Sequence, residues 1–143
     1  MIVDLIKGNI FDDSPSNIVF AINIEGHNDA GFAGVVSGKF WPKLANTGPV
    51  EIGQTFHYDD PDSHIHFHAI VCHSLKDGWT DAPIHIEEGL NRVHTIKVAE
   101  SPTRPASVVM MGAGMIGQMQ GADVWRNLGA IARSKLACWV YTL

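Results

Sequence analysis

The stretch from Ser107 to Trp125 restricts the fold more than any other. It opens on an unbroken apolar run, Val108, Val109, Met110 and Met111, which reads as a buried strand. Gly112 and Gly114 break that run, Gly117 and Gly121 follow, and a helical pattern begins near Asp123. A strand, a glycine turn and a helix in succession can hold a phosphate. Glycines let the backbone approach an anion closely and adopt positive φ, so that N–H groups converge on it. The same residues also suit an ordinary turn.

The rest of the chain alternates in kind. Met1 to Ile6 and Asn17 to Ile24 read as strands, and the continuous apolarity of the second predicts cover on both faces. The polar, glycine-bearing loop Glu25–Gly31 leads into a helix carrying Phe32, Val35, Val36, Phe40 and Trp41, limited by Pro42. Gln54 to Tyr58 reads as a short strand and His64 to His73 as a strong one. Asp81 and Pro83 fit a helix start, and Ile86, Leu90, Val93 and Ile96 form one apolar stripe behind them. A helix from about Ala122 to Lys135 and a strand from Ala137 to Thr142 end the pattern. Strands alternating with helices predict an α/β layered sheet. No repeat or linker divides residues 1–143, so a single domain is expected.

Composition limits the function classes. The chain is 45% hydrophobic and 17% charged, with a net charge of −5, which disfavours general nucleic-acid binding. No apolar run reaches membrane-spanning length. Cys72 and Cys138 lie in apolar runs and form no CxxC, as expected of buried free thiols in a reducing compartment. The N-terminal residues do not read as a signal peptide. A soluble cytoplasmic protein is expected.

Several constellations compete for the chemistry. Gly112, Gly114 and Gly117 spell the GxGxxG of a dinucleotide site, but the strand that would carry the ribose-binding acid, about 20 positions on, is the last in the chain. Hydride transfer with a nicotinamide cofactor is therefore not expected. His64, His66 and His68 share one strand face, with His73 on the other. Such a row suits zinc or iron, or simply a polar strand entrance packed through Ile65 and Phe67. No nucleophile elbow, P-loop lysine or HExxH occurs. Asn9, after Lys7-Gly8, can read a base edge or close an Asx turn, and the turn is the simpler role.

In their order, Lys7-Gly8-Asn9-Ile10-Phe11, the strand ending at Asn23, Ala30-Gly31-Phe32-Ala33, Gly112-Ala113-Gly114 and Val140-Tyr141-Thr142-Leu143 resemble a macrodomain. The likeness runs the length of the chain. It is strongest to the branch of terminal ADP-ribose–glutamate hydrolases and ADP-ribose 1″-phosphate phosphatases. The resemblance implies a three-layer α/β/α fold with a mixed sheet and an ADP-ribose cleft. Asn9 and Ile10 would sit at the adenine. Asn23 and Ala30, Gly31, Phe32 and Ala33 would face the distal ribose and diphosphate. Gly112, Ala113, Gly114, Met115 and Ile116, with Gly117 after them, would form the diphosphate loop.

The likeness is incomplete at the chemistry. The lysine and aspartate of the glutamate-linked hydrolases correspond to Gln54 and Ile116. Any catalysis then falls to His27, Asp29 and Asp123 as acid, base or positioner of water, although all three also suit loop or helix-cap roles. The expected ligand is ADP-ribose or a related nucleotide, bound by a hydrolase or by a non-catalytic reader. No cofactor and no metal are implied, and a His-rich metal enzyme is the third alternative.

Overall fold

A computed structural model describes residues 1–99, 104–111 and 121–142. The strands are β1 (Ile2–Lys7), β2 (Asn17–Asn23), β3 (Thr55–Asp59), β4 (His66–His73), β5 (Ala106–Val109) and β6 (Cys138–Thr142). The helices are α1 (Gly31–Lys39), α2 (Ala82–Ala99) and α3 (Gly121–Arg133). The six strands make one sheet in the order β1-β6-β5-β2-β4-β3. All neighbours run parallel except β3, which lies antiparallel to β4 at the edge, so the sheet is mixed as expected.

β2 shows why two layers cover the sheet. With side chains alternating in direction, Ile18, Phe20 and Ile22 enter one core and Val19 enters the other. On Val19's side, Ile86, Leu90 and Val93 of α2 and Ala130 and Ile131 of α3 pack on Ile70, Val108 and Val140. On the other side, Val36 of α1 and Leu44 of a short 3-10 turn pack with Phe20, Phe67 and Val71. Each such fully buried side chain contributes roughly 1.5–3 kcal/mol. The result is the expected three-layer α/β/α arrangement. Among the described residues, no helix is long and apolar enough to cross a membrane.

The expected strand from His64 begins two residues later. Asp60 accepts hydrogen bonds from the Ser63 N–H (2.8 Å) and hydroxyl (2.7 Å), and His64 N–H donates to the Asp60 carbonyl. That turn leaves His64 at φ 62°, outside the ladder. His66 pairs with Asp59 at 2.6 Å, while buried His68 lies between His57 (2.7 Å) and Asn17 (2.8 Å). The three histidines therefore do not act as one row. Among the described residues no group of three His, Cys, Asp or Glu side chains is placed to hold a metal ion.

Where α2 crosses β4 the approach is close. A Cβ on Gly89 would stand 2.7 Å from Ile70 Cδ1 and 2.8 Å from its Cγ1. Gly89→Val is expected to destabilise the protein by roughly 2 kcal/mol in urea unfolding, because overpacking outweighs the gain in helix propensity. Gly38, exposed in α1 with nothing within 4 Å of its Cβ position, is the control. Gly38→Ala is expected to be neutral or to stabilise by up to about 1 kcal/mol.

Candidate functional site

The sheet order places a crevice. β2 and β5 are parallel neighbours, but the chain leaving β2 turns to α1 on one face and the chain leaving β5 continues to α3 on the other. Open α/β sheets bind ligands where adjacent connections diverge in this way, outside the carboxyl ends of the strands. A cleft of about 340 Å³ lies there. Its floor is Phe20 to Asn23 of β2, Val109 at the end of β5, and Met110 and Met111 after it. Its rim comes from His27, Asn28 and the start of α1 on one side and His73, Leu75 and Trp79 on the other. Among these described lining residues none is Lys, Arg, Asp or Glu.

Asn23 builds the turn out of β2. Its Oδ1 accepts from the N–H of Gly26 (2.9 Å) and of His27 (3.2 Å), and its Nδ2 donates to the His27 carbonyl (2.9 Å). Gly26 takes φ +79°, and a Cβ there would collide with the Gly48 carbonyl. The side chain that the sequence assigns to the ligand thus also shapes the loop.

The loop then delivers two kinds of donor. The first turn of α1, at Gly31, Phe32 and Ala33, lines the cleft, and N–H groups in that position lack intrahelical partners. Ala30, the cap residue, makes no side-chain capping bond to them. The second donor is Asn28, 3% exposed, whose Nδ2 finds no hydrogen-bond partner among the described residues.

The opposite wall is aromatic. His73 and Trp79 stack with ring centroids 3.9 Å apart and planes within 9°. Burial pushes the His73 imidazole down to about 4, with Glu25 opposing it, so the ring is neutral at pH 7. Burial likewise pushes the neighbouring Cys72 thiol up, and both cysteines are buried and in no disulfide, as expected. Glu25 ties the two walls together, accepting from Leu75 N–H (2.9 Å) and Ser74 hydroxyl (2.8 Å). Those two bonds, the Leu75 one first, hold its carboxyl below the usual range.

No protein-family model and no curated protein sequence matches this chain. Solved structures do. The macrodomain of Thermus aquaticus DarG is similar to it with a TM-score of 0.64 at 22% identity, over 100% of this chain and 99% of that one. The macrodomain of Mycobacterium tuberculosis DarG gives 0.67 at 17% identity, over 100% and 98%. A Thermosipho africanus DarTG, solved in complex with ADP-ribose, gives 0.64 at 16% identity, over 97% of this chain and 41% of that one. The chain has the macrodomain fold.

On this macrodomain scaffold the residues singled out from the sequence fall into three groups. Asn23, His27, Ala30, Gly31, Phe32 and Ala33 come together in the cleft. Asn9, Ile10, Asp29 and Asp123 are outside its lining. Asn9 caps a 3-10 turn, its Oδ1 accepting from Phe11 N–H at 3.0 Å, which is the Asx-turn role. Ile10 is 5% exposed and packs in the core beside α1. Asp29 is exposed at the loop, and Asp123, in the first turn of α3, stands 3.8 Å from Arg126. Gly112, Ala113, Gly114, Met115, Ile116 and Gly117 lie outside the described residues. Gln54 accepts from Glu51 N–H at 2.9 Å and so closes the turn before β3. Sequence reasoning missed Asn28, His73 and Trp79 as cleft residues.

His73 makes stability depend on pH. Its folded pKa of about 4 is depressed from 6.5, so between those values the unfolded chain binds the proton and the folded one does not. The stabilisation is complete above pH 6.5 and falls by roughly 2–3 kcal/mol as pH drops to about 4. In His73→Phe, which retains an aromatic face for Trp79, unfolding measured across this range is expected to lose that component of the slope.

Proposed function

We propose that this cleft binds ADP-ribose or a derivative of it, in the cytoplasm. The observation that carries the reading is the first turn of α1 opening into a cleft whose described lining has no charged side chain other than histidine. A diphosphate is then to be held by backbone N–H groups at the positive end of a helix. The ADP-ribose complex of the similar Thermosipho DarTG supports the choice of ligand. By resemblance, the Gly112–Gly117 segment, outside the described residues, would supply further backbone donors, and Asn9 and Ile10 would lie toward the adenine.

A second reading is hydrolysis of ADP-ribose 1″-phosphate or of an ADP-ribosyl ester. It rests on His27, which lines the cleft and is exposed there. In that reading His27 moves a proton at the distal ribose, while neither Asp29, outside the cleft lining, nor Asp123, in the first turn of α3, takes part.

Calorimetry with ADP-ribose, AMP, NAD and ADP-ribose 1″-phosphate tests both. ADP-ribose is expected to bind and to raise the melting temperature, since a ligand of the folded state stabilises it. No heat at millimolar ADP-ribose would remove the proposal while leaving the fold. Phosphate release from ADP-ribose 1″-phosphate that is lost in His27→Ala, with ADP-ribose affinity retained, would establish the hydrolase. A parent protein that binds and releases nothing is a reader.

A further inference from the structure

Asn28 has a backbone fixed from three sides and a side chain left over. Its N–H donates to the Ala45 carbonyl at 3.0 Å, and its carbonyl accepts from the Ser37 hydroxyl of α1 at 3.3 Å. The preceding carbonyl, of His27, is held by Asn23. The side chain is 3% exposed and lines the cleft, yet its Nδ2 has no hydrogen-bond partner among the described residues. Buried amide donors are almost always paired, so one left unpaired on a ligand cleft points to an acceptor supplied by the ligand.

The chemistry around Asn28 selects the kind of acceptor. Three residues beyond it, the first turn of α1 already offers N–H donors with a helix dipole behind them, which suit a phosphate. A carboxamide carries no charge and joins a donor to an acceptor, a combination that matches a hydroxyl, itself both. On the opposite rim His73 is uncharged and stacked on Trp79. We infer that Asn28 is a specificity-determining residue that donates from Nδ2 to a sugar hydroxyl. On the ADP-ribose reading proposed above, on which this assignment rests, that sugar is the terminal ribose.

The experiment compares the parent with Asn28→Leu, which keeps the branched heavy-atom shape at greater bulk and removes the donor. ADP-ribose is expected to bind about tenfold more weakly to the variant, the worth of one buried hydrogen bond. The ligand-free variant is expected to keep the circular dichroism spectrum of the parent. AMP, which lacks the terminal ribose, is expected to bind parent and variant alike. In the parent, the Asn28 Nδ2 proton resonances are expected to move on saturation with ADP-ribose. Equal ADP-ribose affinity in the variant, an equal loss for AMP, or unmoved Nδ2 resonances would each overturn the inference. Ribose 5-phosphate separates its failure from that of the ligand reading. If the parent ignores ADP-ribose but binds ribose 5-phosphate in an Asn28-dependent way, the ADP-ribose reading falls and the sugar contact stands. If neither binds, both fall.

Discussion

Three hydrogen bonds from one carboxamide set the geometry of the cleft. Asn23 ends the central strand and at once folds the next four residues around its own side chain. That turn sends the chain to the face opposite α2 and α3, so the connections from β2 and β5 diverge and leave a crevice between them. The turn also explains the tight glycine at position 26, where the Gly48 carbonyl occupies the space of a side chain. The role of Asn23 in shaping the loop thus comes before any contact it makes with a ligand.

The layered fold was legible because its signals are local and periodic. An unbroken apolar strand must be covered twice, and Ile18, Val19, Phe20 and Ile22 are indeed divided between two cores. The stripe of Ile86, Leu90 and Val93 faces the sheet as its spacing required. The histidine row misled because alternation was counted from His64, whereas the Asp60 turn displaces that residue from the strand. Sequence spacing cannot register a turn closed by a side chain several residues earlier.

The site was legible in part, and the division has a physical reason. Ala30 to Ala33 could be placed because the macrodomain resemblance carries them over by position, onto a glycine-bearing loop that enters a helix. His73 and Trp79 could not, since they meet across a loop and only the strand order brings them beside β2. Asn28 carried no pattern at all. An unpaired amide is defined by the partners absent around it, and those come from β2, α1 and the segment near Ala45 together.

Glu25 gives the cleft a mechanical character. Its carboxylate joins the loop after β2 to the loop after β4 through Ser74 and Leu75, below the stacked rings. Both walls on that side are therefore tethered before a ligand arrives. A guest entering there meets a preset width, and little conformational entropy is left to be lost on its arrival. A guest that matches the walls as those two bonds hold them keeps both bonds, and one that needs them further apart must break them.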